Sequence, residues 1–190
     1  MSYTPRLILV VGNPGSGKDI LVRAVYNLGA QHANVVPKHT SRKRRSDDGE
    51  EMICSDDPNF ALNKCDITYE NYGDSYGIQT SQIWEGLKKG VFQVLVVSNV
   101  NAINNLWSIC GRLVGLGYVH SEVPPDEYKK AELKHGNDKK YIKRRLSEYS
   151  MAFNNYLRNF LAFDHVLIYA GIDEDLYDQI FRLFRAYEKG

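Results

Sequence analysis

Lys18 stands near the end of a glycine-rich stretch, Gly12-Asn13-Pro14-Gly15-Ser16-Gly17-Lys18-Asp19, whose residue types suit a phosphate cradle. The glycines let the backbone curl until several N–H groups point inward, and a following helix adds the partial positive charge of its N-terminus. Lys18 is then placed to reach β- and γ-phosphate oxygens. The spacing fits GxxxxGK[ST] except at the last position, where Asp19 replaces the hydroxyl residue that ordinarily ligates Mg2+. A carboxylate is also a hard oxygen ligand, so Asp19 can hold the metal directly or through a water. It adds negative charge beside the phosphates, which Mg2+ and Lys18 would have to offset. The bland alternative is a glycine-rich turn between a strand and a helix. The flanks favour the cradle: an apolar run, Leu7 to Val11, leads in, and a helical pattern, Ile20, Leu21, Val22, Ala24 and Val25, leads out.

A second concentration of charge follows at Lys38-His39-Thr40-Ser41-Arg42-Lys43-Arg44-Arg45, and then the acidic Ser46-Asp47-Asp48-Gly49-Glu50-Glu51. One reading is a solvated loop whose basic half pairs with its acidic half. The other, favoured by its place just after a phosphate-binding βα unit, is a clamp for a second phosphate-bearing molecule. Arg42 and Arg45, three positions apart, can fork onto one phosphate. Further on, Ile67 to Ile78 is rich in turn formers and contains Tyr69, Tyr72 and Tyr76. Their hydroxyls can donate to phosphate or to a base edge, although tyrosine beside glycine also serves plain turns.

The elements that must position these groups follow from hydrophobic pattern. Strands are expected over Arg6–Val11, near Val35–Val36, over Val91–Ser98, Tyr118–Val123 and Phe163–Tyr169. Helices are expected over Lys18–Leu28, Thr80–Lys89 (ended by Gly90), Asn101–Cys110, a short polar Asp126–Gly136, and Leu176–Tyr187. A long helix opens at Asn137, with Ile142, Leu146, Phe153 and Leu157 as its apolar stripe. Its basic start, which includes Lys143, Arg144 and Arg145, is either a solvated face or a lid bringing arginine to a phosphoryl transfer. Strands alternating with helices behind the phosphate loop define an α/β class, a mostly parallel sheet with helices on both faces.

Composition limits the alternatives. At 190 residues and 43% apolar content the chain can bury a sizeable core, and it reads as one domain with small inserted parts. A net charge of +1 gives no support to a nucleic-acid partner. Cys54, Cys65 and Cys110 are odd in number and lack metal-ligand spacing, which suggests reduced thiols in a cytoplasmic compartment. The absence of a signal peptide and of an apolar run near 20 residues makes a membrane partner unexpected.

Together these residues resemble the guanylate kinase family, in order along nearly the whole chain. The family's clamp pattern T-[ST]-R-x-x-R, followed by acidic residues and glycine, is similar to Thr40-Ser41-Arg42-Lys43-Arg44-Arg45 with Asp47, Asp48 and Gly49. Its Tyr-Gly motif resembles Tyr76-Gly77, its lid helix Lys143-Arg144-Arg145-Leu146, and its last strand Asp164–Tyr169. The resemblance implies a single domain with a core (residues 1–36, 78–130 and 147–190), a substrate-binding insertion (37–77) and a lid (131–146).

The implied reaction is transfer of the ATP γ-phosphoryl group to a phosphate-bearing acceptor, with ATP and Mg2+ as cofactors. The P-loop residues Gly12 to Lys18 would hold the ATP phosphates, and Asp19 the Mg2+. Arg42, Arg45 and Tyr76 would hold the acceptor phosphate, and Arg144 or Arg145 would cover the transferring group. Where the family reads guanine, this sequence places Lys38 for a small hydroxyl residue, Asn99 for an aspartate, and Ile67, with Glu70 nearby, for a glutamate. A clamp tyrosine becomes Met52, and the first lid arginine becomes His135 or Lys134. The phosphate end is kept and the base end is not, which weakens a guanine preference. GMP is the acceptor the family implies; a sugar phosphate is the alternative, since ribose 1,5-bisphosphate phosphokinases share the ending Gly17-Lys18-Asp19. A third reading is a non-catalytic binding module, against which the intact Lys18 argues. The protein is expected as a monomer or homodimer acting on a small molecule.

Overall fold

The computed structural model describes residues 5–13, 15–45, 48–55, 57, 59, 62–71, 73–134 and 139–188. Pro14, Asp47, Tyr72 and His135, which the sequence analysis singled out, lie outside the described residues.

The chain runs β1 (Leu7–Gly12), α1 (Lys18–Leu28), β2 (Ala33–Val35), β3 (Lys38–Thr40), β4 (Met52–Cys54), β5 (Ile67–Asn71), β6 (Asp74–Ile78), α2 (Thr80–Lys88) and β7 (Phe92–Val96). It continues with α3 (Val100–Cys110), β8 (Val114–Ser121), α4 (Pro125–Lys134), α5 (Lys139–Arg158), β9 (His165–Tyr169) and α6 (Asp173–Glu188). A five-stranded, mostly parallel sheet has the order β2-β7-β1-β8-β9, with helices around it, and a four-stranded sheet has the order β4-β3-β6-β5. The α/β class read from the sequence therefore holds.

The central strand is β1, apolar in nearly every position and buried along its length, as a strand covered on both faces must be. β2 pairs with β7 from Ala33 opposite Phe92 to Val35 opposite Val94, and β8 with β9 from Gly117 opposite His165 to Ser121 opposite Tyr169. Helix α2 ends where expected: Gly90 takes φ +73° and its N–H donates to Leu87 O at 3.0 Å.

Two compact units emerge, one of residues Met1–Leu9 and Val25–Gly115, the other of Val10–Ala24 and Leu116–Gly190. The first carries the whole four-stranded sheet and the second carries the glycine-rich loop, α4 and α5.

Several boundaries differ from the sequence reading. The last core strand before α4 is Val114–Ser121 rather than Tyr118–Val123. Gly115 and Gly117 disguise its first half; a Cβ at Gly115 would sit 3.0 Å from Pro5 Cβ, a contact that fits only if Pro5 shifts. The tyrosine-rich segment is a hairpin, β5 antiparallel to β6 from Ile67 opposite Ile78 to Asn71 opposite Asp74, with Gly73 in the turn at φ +85°. Leu157 does not belong to the buried stripe of α5: Ile142 is buried, but Leu157 is 51% exposed. Among the described residues no helix is long and apolar enough to cross a membrane.

Candidate functional site

The glycine-rich loop joins β1 to α1 as strand, turn and helix. Its backbone turns with Ser16 N donating to Asn13 O at 3.2 Å, and α1 opens with Leu21 N on Gly17 O at 3.0 Å. A Cβ at Gly12 would lie 2.7 Å from Val119 O and 2.6 Å from Ser16 Oγ, so only glycine lets the loop pass that close to β8. Gly15 takes φ +70°, and a Cβ there would meet the ring of Tyr128 at 2.5 Å. Asn13 is fully buried, and its Oδ1 accepts from the Tyr118 hydroxyl at 2.9 Å. That bond anchors the start of the loop to β8.

Lys18 folds over the loop. Its ammonium donates to the carbonyl oxygens of Gly12 (2.8 Å) and Asn13 and to Ser16 Oγ at 3.3 Å. The charge thus sits over the mouth of the cradle, beside the first turn of α1. Asp19 is exposed in that same turn, with Arg23 Nη2 3.9 Å from its carboxylate. An exposed carboxylate at a helix start is free to meet a hydrated cation. That suits Mg2+, which keeps several waters and takes one or two protein carboxylates beside substrate phosphates. No cluster of three or more His, Cys, Asp and Glu residues with metal-holding geometry occurs among the described residues.

In the other unit the basic half of the run pairs with its acidic half. Arg42 Nη1 donates to Asp48 Oδ2 at 2.8 Å and to Lys43 O at 2.9 Å, and Nη2 donates to Asp48 Oδ1. The two side chains are only 9% and 7% exposed. Arg45 N donates to the same carboxylate at 2.6 Å, and Arg44 Nη2 to Asp48 O at 3.2 Å. Burial opposes ionisation of Asp48, but the Arg42 hydrogen bonds, the Arg45 N–H and both guanidinium charges outweigh it and hold the carboxyl below its ordinary value. Arg42 is pushed well above its ordinary value by the same contact, against the cost of burial. The sequence analysis offered this pairing of basic and acidic halves as the alternative to the clamp, and Asp48 is the acid that turns back onto Arg42.

Tyr76 stacks on Tyr69 with ring centroids 5.4 Å apart. Lys38, on β3, is half-buried, with its ammonium 2.6 Å from Val96 O and 6.0 Å from the Tyr76 ring centroid. Loss of hydration pulls its pKa from 10.5 to about 8, and the neighbouring Arg42 lowers it while Glu51 and Asp48 raise it. Asn99 caps α3, accepting from Ala102 N at 3.0 Å, and its Nδ2 donates to Glu70 O at 3.3 Å. The structure thus gathers Lys38, Arg42 and Tyr76, and separately joins Asn99 to the Glu70 backbone; the Glu70 carboxylate is exposed. Arg45 is exposed, and Arg144 and Arg145 of α5 lie 5.7 and 5.8 Å from the Tyr141 ring centroid.

A buried ammonium has a measurable consequence. Above pH 8 the folded protein releases the Lys38 proton while the unfolded chain keeps it to pH 10.5. The unfolded state then binds more protons, so stability should rise with pH across that interval. Urea unfolding of wild type and Lys38→Met at pH 7 to 10 is expected to show wild type gaining up to ~3 kcal/mol on the variant. A difference that stays flat would show that the ammonium is hydrated.

Tyr128 was not singled out by the sequence. It is 8% exposed, and its ring stands where a Cβ on Gly15 would point. The available signal was a lone aromatic in the otherwise polar stretch Pro125–Lys134; a polar helix buries whichever face carries its few apolar groups.

No protein-family profile matches this sequence, and no curated protein matches it. Solved structures do. Guanylate kinase from Anaplasma phagocytophilum superposes with a TM-score of 0.67 and 14% identity, over 100% of this chain and 89% of that one. The chain has a guanylate kinase-like fold. Dephospho-CoA kinase from Campylobacter jejuni aligns at a TM-score of 0.46 and 12% identity, over 98% of this chain and 99% of that one. In this guanylate kinase-like fold the loop bearing Lys18 stands at the carboxyl end of β1, where open α/β sheets bind their ligands.

Proposed function

We propose that the protein is an ATP-dependent phosphotransferase that moves the γ-phosphoryl group of MgATP to a phosphate-bearing small molecule, a nucleoside monophosphate foremost. The observation that carries this reading is the intact phosphate loop, with Lys18 held over its mouth by Gly12, Asn13 and Ser16. The guanylate kinase-like fold supports it.

In the reaction an oxygen of the acceptor phosphate forms a bond to the γ-phosphorus, and the bond from that phosphorus to the β,γ-bridging oxygen breaks, leaving ADP. Little covalent chemistry is asked of the protein; positioning and neutralisation of charge do the work. The loop N–H groups and Lys18 hold the β- and γ-phosphates. Asp19 would hold Mg2+, directly or through a water, and the metal would supply neutralising charge for the phosphates. Arg45 with Tyr76 would orient the acceptor phosphate, and Arg42 would join them by exchanging the Asp48 carboxylate for that phosphate. Arg144 or Arg145 covers the transferring group, and closure of the lid keeps water from taking the phosphoryl instead.

Lys38, Glu70 and Asn99 face the remainder of the acceptor. Both ends of the Asn99 amide are engaged by backbone, so it supplies no carboxylate to guanine N–H groups. GMP is therefore expected to lack a thousandfold advantage over AMP, CMP and UMP. A sugar bisphosphate is the second reading, favoured by Gly17-Lys18-Asp19. The experiment is a coupled assay of ADP release with each ribo- and deoxyribonucleoside monophosphate and with ribose bisphosphates. Acceptor-dependent ADP release supports the reading; ATP binding with no release for any acceptor would make the protein a binding module.

Asp19 gives a separate test. Asp19→Ala is expected to raise the Mg2+ concentration for half-maximal rate, and Asp19→Ser to restore it in part. Unchanged metal dependence in both would leave Asp19 as a helix-start acid and no more.

A further inference from the structure

Tyr128 is buried at the phosphate loop for no reason that packing alone explains. Leucine would fill an apolar gap without bringing a hydroxyl, yet this hydroxyl is buried, no hydrogen bond of good geometry satisfies it, and the side chain that reaches it is Arg145. An orphaned hydroxyl is costly unless another state of the protein fills it. Its ring lies where a Gly15 side chain would stand, which ties α4 to the loop. The cation acting on the hydroxyl is the Arg145 guanidinium, from the next helix, α5. Glu132 and Tyr141 are the other ionisable groups that bear on it. Burial pushes the Tyr128 hydroxyl above its ordinary value, and Arg145 pulls it back. Arg144, its neighbour in sequence, is exposed, whereas Arg145 is half-buried.

We propose that Tyr128 is a positioning residue: its ring seats α4 on Gly15 of the phosphate loop, and its hydroxyl accepts from Arg145 and aims that guanidinium, rather than Arg144, at the transferring phosphoryl group. This rests on the phosphotransferase reading. The arrangement makes the lid arginine and the loop parts of one connected set, Gly15–Tyr128–Arg145. The hydroxyl is satisfied when the arginine is in place, so an unseated arginine carries the cost of the orphan.

Two measurements test it. In a double-mutant cycle on kcat, Tyr128→Phe, which keeps the ring, is expected to lower kcat about tenfold with the ATP Kd within twofold. On an Arg145→Ala background the same change is expected to have no further effect, because the hydroxyl acts through Arg145. A wild-type kcat in Tyr128→Phe, or a full tenfold loss that persists without Arg145, would overturn the proposal. The second measurement needs no turnover. Ultraviolet titration of Tyr128, taken as the difference between wild type and Tyr128→Phe, is expected to move to higher pH in Arg145→Ala, since a cation that favoured the tyrosinate has gone. An unmoved titration would overturn the Tyr128–Arg145 pairing even if the protein proves to have no acceptor. Conversely, a moved titration in a protein without transferase activity would sink the phosphotransferase reading alone.

Discussion

Lys18→Ala is expected to lower turnover by about 10³-fold or more while leaving the unfolding transition close to that of wild type. The ammonium donates to the carbonyl oxygens of Gly12 and Asn13 and to the Ser16 hydroxyl, all within its own loop. Those oxygens can take water when the amine is gone, so the cost to folding is small. The cost to transfer is large, because the charge that develops on the γ-phosphoryl oxygens loses a cation fixed in advance, and water supplies no equivalent inside a closed site. The kinetic form of the loss is also defined. A falling kcat with little change in ATP KM marks an interaction made mainly in the transition state, whereas a rise in KM alone marks uniform binding. A variant with near-normal turnover would remove Lys18 from the chemistry.

The second large effect is at Arg42. Removing it leaves the buried Asp48 carboxylate without its guanidinium, with the Arg45 N–H still donating to it, and breaking a buried pair costs about 3–5 kcal/mol. Arg42→Ala is therefore expected to lower Tm sharply as well as to raise the acceptor KM and lower kcat, with the ATP Kd hardly changed. The two effects separate in Arg42→Ala/Asp48→Ala. That double variant should recover much of the stability, since no orphaned charge remains, and should keep the raised KM. If it regains a normal acceptor KM, Arg42 serves the fold and not the acceptor. Acid adds a check. Asp48 is held below its ordinary value by Arg42 and by the Arg45 N–H, against burial. Its contribution to stability is full above the unfolded carboxylate range and is lost as pH falls through the depressed folded value. Wild type should lose that increment on acidification, and the double variant should have none to lose.

How much of this was legible beforehand depends on how local each signal is. The loop from Gly12 to Asp19 was legible because strand, turn and helix are contiguous and the glycines have one purpose. Arg42 was legible as a forked cation, but not as one already committed to Asp48, because the side-chain fold-back across six residues leaves no periodic trace. The strands β3 and β4 are three residues each, too short for alternation to show, and their sheet is held together by pairing with the hairpin β5–β6. Leu157 carried the right spacing for the apolar stripe of α5, yet the helix outruns its cover there; Phe160 and Leu161 beyond it are exposed too. Tyr128 was invisible for a different reason. Its meaning lies in Gly15, more than a hundred residues away in sequence, and no spacing rule links the two.

The central claim is transfer of a phosphoryl group from ATP to an acceptor that already bears phosphate. Its most direct measurement follows the label from γ-³²P ATP in the presence of each nucleoside monophosphate and each ribose bisphosphate, with products separated by chromatography. The label is expected on the acceptor, in amounts equal to the ADP formed, for wild type and not for Lys18→Ala. Label found only as inorganic phosphate, or left on ATP with every acceptor while the folded protein binds ATP, would contradict it.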